Sequence, residues 1–182
     1  MKFYFLFISL LLLSIWAQAQ TNSNSFIRVS VANQMLYLID NGEVIHEYPI
    51  STSVYGIGSE AGSNKTPLGK HKILKKFGDN AAPGTIFKSR INTGRIATIY
   101  TDDTDLDEDD VTTRIMRLTG LEPGKNKGPG VDSYARYIYI HGTPEEGLIG
   151  QPASHGCIRM KNADVIQLYD LVKEGVLVMI EP

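Results

Sequence analysis

The stretch "MLYLIDNGEVIHEYPIS", Met35 to Ser51, constrains the fold more than any other part of the chain. Two β-prone runs, Met35 to Ile39 and Val44 to Ile50, flank Asn41-Gly42. Asn-Gly adopts the two left-handed backbone conformations of a tight hairpin turn at little cost, so the pattern predicts strand, turn, strand. Just upstream, Ile27, Val29 and Val31 alternate with Arg28 and Ser30, the period of a half-buried strand. "KHKILKKF" (70–77), "YIYI" (137–140) and "VLVMI" (176–180) predict three more strands.

Helical signals are fewer. In "DVTTRIMRLTG", Val111, Ile115 and Leu118 fall on one helical face and Gly120 is a C-terminal stop, which predicts a helix over 111–119. Asn162 can cap a second helix through "ADVIQLYDLVKEG", with Val165, Ile166, Tyr169 and Val172 as its buried face and Gly175 as its end. No repeat or interdomain linker interrupts the chain. The expectation is one mainly β domain, a sandwich or barrel with two or so peripheral helices.

The N-terminus reads differently. "MKFYFLFISLLLLSIWAQA" has one lysine, an apolar run from Phe3 to Trp16 and small residues one apart, the layout of a cleavable export signal over residues 1–19. The apolar run is short for a membrane span, which takes about 20 residues. A short polar tail (20–25) follows, and residues 26–182 hold the expected domain. No second long apolar run exists, so no membrane span is expected after cleavage. Charge is near balance, formally −2 for the full chain, with no basic stripe, which argues against a nucleic-acid partner.

Export makes the cysteine count informative. Cys157, in "SHGCIRM", is the sole cysteine, whereas exported chains normally use cysteines in disulfide pairs. A lone thiol is inert in a core, bridged to another chain, or reactive. His155 lies two residues before it and His141 sixteen before it, at the end of a predicted strand. An imidazole beside a thiol lowers its pKa from about 8.5 and activates it. His155 is awkwardly placed across Gly156, so His141 is the expected general base and Cys157 the nucleophile. Gly156 permits a tight turn, in which the Gly156 and Cys157 amides could face a developing oxyanion. Zinc bound by His141, His155 and Cys157 is the rival use of these residues, but the one-apart spacing strains a tetrahedral site and no fourth ligand pattern appears. No metal and no cofactor are expected.

"IHGT" (140–143) followed by "SHGCIRM" (154–160) resembles the signature of the L,D-transpeptidase catalytic domain of bacterial cell-wall enzymes. "VANQMLYLIDNGEVIHEYPIST" is similar to that family's opening hairpin and "KTPLGKHKI" to its Thr-Pro-x-Gly segment, so the resemblance covers about residues 26–181. It implies an L,D-transpeptidase-like sandwich or barrel in which Cys157 forms an acyl-enzyme. His141 would accept the thiol proton while the carbonyl of Gly142 orients its ring. Ser154, His155 and Gly156 would shape the turn and oxyanion site. Arg159 would lie near substrate, as a contact to a stem-peptide carboxylate or as a structural ion pair. Thr66 and Gly69 would shape the cleft edge.

The implied partners are peptidoglycan stem peptides in the periplasm or extracytoplasmic wall space. The donor tetrapeptide would release D-alanine, and an amine on a second stem or on a wall-anchored protein would take the acyl group, giving a 3→3 cross-link in the first case. Water as acceptor would make the chain an L,D-carboxypeptidase. Loss of turnover would leave a wall-peptide-binding protein. Residues 78–134 have no obvious counterpart in the shortest members and are expected to cover or line the cleft, partly as the acidic loop and the 111–119 helix. They include "TDDTDLDEDD" (101–110), with seven carboxylates in ten positions, read as a solvated acidic loop that could favour an amine-bearing acceptor.

Overall fold

The computed structural model describes residues 25–106 and 109–182; the expected export signal at 1–19 lies outside the described residues. The strands run in chain order as β1 (Phe26–Ser30), β2 (Met35–Asp40), β3 (Glu43–Ser51), β4 (Gly69–Phe77) and β5 (Thr85–Lys88). Then come β6 (Ile91–Ile96), β7 (Val111–Gly120), β8 (Tyr139–Gly142), β9 (Ile158–Met160) and β10 (Leu177–Glu181), with one helix, α1 (Asn162–Leu171), before β10. Among the described residues no helix is long and apolar enough to cross a membrane.

The predicted hairpin forms as β2–β3, with Asn41 and Gly42 at φ of 50° and 88° between the strands. Those two left-handed residues match the right-handed strand twist, which an ordinary turn would splay. Around this hairpin the sheet runs β4-β10-β1-β2-β3-β9-β8-β7, and β7 pairs back onto β4 to close it into a barrel-like wall. The β5–β6 hairpin hangs from the first half of β7, leaving β6 as an edge.

Alternation fills the interior. Ile27, Val29, Leu36, Leu38, Ile140, Ile158, Met160, Val178 and Ile180 point inward, and α1 adds Val165, Leu168 and Tyr169 to the same cluster, with Val172 just past its end. Each such side chain contributes about 1.5–3 kcal/mol by leaving water. Ile140 and Ile158 are fully buried beside the motif residues, so this core fixes the height of His141 and Cys157 on the wall. Truncating either isoleucine to Ala is expected to cost about 2–5 kcal/mol.

Three sequence expectations are corrected. The helix expected at 111–119 is the strand β7. β7 touches β4, β5 and β8, and eight of its ten residues are buried, so no inside–outside alternation marks it. A register break between Thr112 and Ile115, with Thr113 at φ 67°, disrupts what period remains. The spacing of Val111, Ile115 and Leu118 is therefore a coincidence of a doubly covered strand, and the domain has one α-helix. Within residues 78–134, β7 is a wall strand of the barrel. Finally, Asn162 is the first residue of α1 rather than its cap, Lys161 occupies the cap position, and Ile166 is only half-buried where Leu168 is buried.

Candidate active site

β8 and β9 pair in parallel with His141 opposite Arg159 and Ile140 opposite Ile158. Cys157 immediately precedes β9 and so stands level with Tyr139. Side chains two apart share a face of a strand. Tyr139, His141, Cys157 and Arg159 therefore project from one side of the wall, while Ile140, Ile158 and Met160 fill the core on the other. On the outer side a small second cluster of Phe87, Ile115 and Tyr139, with Phe77, Ala81 and Val111, packs against Cys157.

The thiol lies between two main-chain groups. The Tyr139 N–H donates to Sγ at 3.4 Å, and the thiol donates to the Tyr137 carbonyl at 3.5 Å. Tyr137 reaches that position through a left-handed backbone, φ 57°, just before β8. Cys157 keeps part of its surface open. Burial of the sulfur nevertheless pushes its pKa up to about 12, and the Asp109 carboxylate adds to the rise. The Tyr139 N–H, Arg159 and Arg136 pull the other way and do not offset it. The resting sulfur is a neutral thiol.

His141 is 1% exposed, and its Nδ1 lies 2.7 Å from the Gly142 carbonyl oxygen. A carbonyl only accepts, so Nδ1 carries the proton and Nε2 keeps its lone pair. Burial lowers the imidazole pKa, against the opposing pull of Asp109 and of the Gly142 hydrogen bond, with Arg159 reinforcing burial. Gly142 admits no side chain here, because a Cβ would sit 2.7 Å from Asn162 Oδ1 and 2.9 Å from the Thr112 carbonyl.

The turn before the cysteine is tied from inside. Ser154 Oγ accepts from the Gly156 N–H at 3.2 Å and donates to the Cys157 carbonyl at 2.6 Å. The Gly156 amide is thus engaged within the turn. Thr66, from the Thr-Pro-x-Gly segment, donates from Oγ1 to the Gly156 carbonyl at 3.2 Å and accepts from the Ser53 N–H. Gly156 itself is at φ 119°, a conformation that L side chains rarely adopt. His155 is exposed, its ring 5.6 Å from that of Tyr55.

Residues 24–180 match the family model described as the YkuD, L,D-transpeptidase catalytic domain. The chain belongs to the L,D-transpeptidase catalytic-domain family. Its sequence is 49% identical over 43 residues to YkuD of Bacillus licheniformis, covering 24% of this chain and 26% of that protein. It is 51% identical over 41 residues to YkuD of Bacillus subtilis, covering 22% and 25%. The fold is that of L,D-transpeptidase 3 from Mycobacterium tuberculosis, solved with a faropenem-derived adduct: TM-score 0.54, 18% identity, 88% of this chain and 61% of that one. An L,D-transpeptidase from Mycobacterium smegmatis gives TM-score 0.52 and 18% identity over 88% of this chain and 59% of that one. The matches thus span about a quarter of the curated relatives and about three fifths of the solved chains.

This L,D-transpeptidase domain also surrounds the motif's Arg159 with residues that the motif did not mark. Arg159 is 1% exposed, forms a short ion pair with the equally buried Glu145, lies 3.5 Å from Asp109 and donates to the Ala153 carbonyl at 3.0 Å. Asp109 also accepts from the His155 N–H at 3.2 Å. Arg136 donates to the carbonyls of Lys65 and Gly58, fastening the glycine-rich loop beside the Gly156 turn. Asn162 donates to the Thr143 carbonyl and to Glu146 and accepts from Thr112 and Thr113, joining α1 to β7 and to the segment that follows β8. Asp109 came from an acidic run with nothing to single it out, and Glu145 from a surface-like "TPEEGL".

Proposed function

We propose that this chain is an exported cysteine L,D-transpeptidase acting on peptidoglycan tetrapeptide stems. The observation that carries the reading is the setting of Cys157: a neutral thiol between the Tyr139 N–H and the Tyr137 carbonyl, on the same face as a buried, neutral His141. With the thiol held near 12, a resting thiolate–imidazolium pair is unfavourable, so the proton moves as the sulfur attacks. Cys157 Sγ adds to the carbonyl on the L side of the scissile bond and His141 Nε2 takes the thiol proton. The tetrahedral intermediate collapses, its C–N bond breaks, and His141 returns the proton to the amine of the departing D-alanine. A thioester remains on Cys157. The amine of a second stem attacks that thioester, loses a proton to His141, and leaves with the acyl group as a 3→3 cross-link, restoring the thiol.

In this mechanism Gly142 is the orienting group for His141. Ser154, Gly156 and Thr66 hold the turn that aims Cys157, while His155 helps anchor it through Asp109. Arg159 acts as a positioning residue beneath the turn, since its guanidinium is already engaged by Glu145, Asp109 and Ala153. The pattern of residues 1–19 supports export to the periplasm or wall space.

Intact-mass analysis of the mature protein with a disaccharide-tetrapeptide, beside Cys157→Ala, tests this. A covalent gain on the wild type alone, together with dimeric 3→3 product, is expected. Tripeptide and free D-alanine without dimer, under abundant acceptor, would make the chain an L,D-carboxypeptidase. Peptide binding without adduct or product would leave a wall-peptide-binding protein.

A further inference from the structure

The Asp109 carboxylate beside the thiol is already engaged by the His155 N–H and Arg159. A separate cluster holds the rings of Tyr134, Tyr137 and Tyr139, interleaved with two arginines. The Arg117 guanidinium lies 3.4 Å over the Tyr134 ring centre and 4.9 Å over that of Tyr137. Arg90 lies 5.4 Å over Tyr137 and donates from Nη1 to Tyr139 Oη at 2.9 Å. It is the Tyr139 main-chain N–H that meets the sulfur, so Arg90 sits at the far end of a side chain rooted at the thiol. Among the described residues neither arginine is ion-paired with a carboxylate, and the Arg117 Nε is buried without a hydrogen-bond partner.

The backbone that presents Arg90 is unusual. β5 and β6 close at the Lys88–Ile91 pair, so Ser89 and Arg90 form the two-residue turn, at φ 50° and 68°. Such a turn favours Asn and Gly, and a long side chain in it is strained. Strain of this kind persists where surrounding contacts hold it, and it concentrates at binding and catalytic sites. Here the holding contacts are Tyr137 and Tyr139, two of the residues that frame Cys157. Tyr137 is 53% exposed, so the guanidinium and ring present an open, cationic, aromatic wall.

We propose that Arg90, backed by Arg117, receives the terminal carboxylate of the donor peptide, the carboxylate of the D-residue that departs when Cys157 is acylated. The inference rests on the reading of this chain as an enzyme of stem peptides and names the subsite that selects their free C-terminus. The scissile carbonyl and that carboxylate belong to adjacent residues, and the two tyrosines that hold Arg90 by their side chains hold the sulfur by their main chains. Arg is suited to the task because its planar fork meets a carboxylate with two parallel hydrogen bonds.

The test compares a tetrapeptide stem ending in a free D-alanine carboxylate with the same peptide as its C-terminal amide. Binding is measured by calorimetry to Cys157→Ala, with and without Arg90→Gln or Arg90→Lys. The acid is expected to bind about ten- to hundredfold more tightly than the amide, with Arg90→Gln removing the difference and Arg90→Lys restoring part of it. Equal acid and amide affinities in the Cys157→Ala protein, a preference that survives Arg90→Gln, or no binding of either peptide would each overturn the proposal. Acylation of wild-type Cys157 is followed separately by intact mass. A missing thioester would overturn the transpeptidase reading while the acid–amide comparison still decides the role of Arg90.

Discussion

The main-chain N–H of Tyr139 points at the sulfur of Cys157 across 3.4 Å, so the first residue of β8 touches the residue that leads into β9. That contact explains why a parallel pairing of only three registered residue pairs suffices to build the site. The two strands need only agree in height, and the fully buried Ile140 and Ile158 ensure that they do. What they do not supply is thiolate, since burial and Asp109 together hold the sulfur protonated.

Asp109 is therefore the residue whose charge sets the pH response. Its carboxylate raises both the His141 and the Cys157 pKa. Asp109→Asn keeps an acceptor for the His155 N–H but removes the charge, so both values are expected to fall. In the wild type, burial already keeps His141 neutral to below the ordinary imidazole value of about 6.5. The acid limb of the acylation rate should thus lie below that value and move lower still in Asp109→Asn. Thiol alkylation by iodoacetamide should also begin at lower pH in the variant. Superimposable wild-type and variant profiles would remove Asp109 from this role.

The Arg159–Glu145 pair should matter to both stability and turnover. Both side chains are 1% exposed, and Glu145 Oε1 also accepts from the Leu106 N–H. Removing one partner from a buried pair costs about 3–5 kcal/mol, because the other charge is left uncompensated. For Glu145→Gln a melting temperature lowered by roughly 10 °C is expected in a domain of this size. Arg159→Met should also loosen the Ala153 carbonyl and with it the turn before Cys157. Circular dichroism melts beside acylation rates check both; a melt unchanged in Glu145→Gln would show that the pair contributes nothing net.

How much of this was legible in the sequence follows from how each element is covered. β1, β2 and the second half of β3 alternate because one face meets the core and the other is partly open, and Asn41-Gly42 announces the β2–β3 turn. β7 reads as a helix because α1 and the main core cover one of its faces and the Phe87–Tyr139 cluster the other, which erases alternation and leaves three apolar residues at helical spacing. His141, Gly142 and Cys157 stand out as candidates in the sequence because a thiol, an imidazole and tight glycines have few other uses together. Asp109 was invisible for the opposite reason: in a run of seven carboxylates only tertiary placement distinguishes the one beside the thiol. Arg90 was hidden likewise, since a basic residue in a short hairpin reads as surface until its turn and its tyrosine partners are in place.

The turn glycine offers a cleaner separation of aim from stability. A Cβ at Gly156 would stand 3.2 Å from the Lys65 carbonyl oxygen on a backbone at φ 119°. Gly156→Ala is expected to cost about 1–3 kcal/mol in folding. Displacement of the sulfur by about 1 Å should slow acylation on the order of a hundredfold. Thr66→Val removes the hydroxyl that holds the Gly156 carbonyl and should slow acylation in the same direction with a smaller loss. Stopped-flow mass analysis of thioester formation distinguishes this from simple unfolding, provided the variants melt well above the assay temperature. Wild-type acylation rates in both would mean that the turn tolerates the shift.

His71 provides a stability test remote from Cys157. It is fully buried at the start of β4, with Nδ1 3.0 Å from the Gly69 carbonyl oxygen and Nε2 2.9 Å from Ser133 Oγ. The neutral ring satisfies both partners: Nδ1–H donates to the carbonyl, and Nε2 accepts from the hydroxyl. Burial lowers its pKa to about 4, with the Gly69 carbonyl and Glu122 opposing the shift and Lys125 adding to it. Because the folded value lies below the unfolded value of about 6.5, the unfolded chain binds more protons between the two. The contribution is therefore complete above about pH 6.5 and is lost as pH falls towards 4, by up to about 3 kcal/mol. Urea midpoints at pH 7.5 and 4.5 should drop more for the wild type than for His71→Gln, which is less stable at neutral pH but has no imidazole to protonate. Equal drops in the two proteins would mean that carboxylates elsewhere, not this histidine, govern acid unfolding.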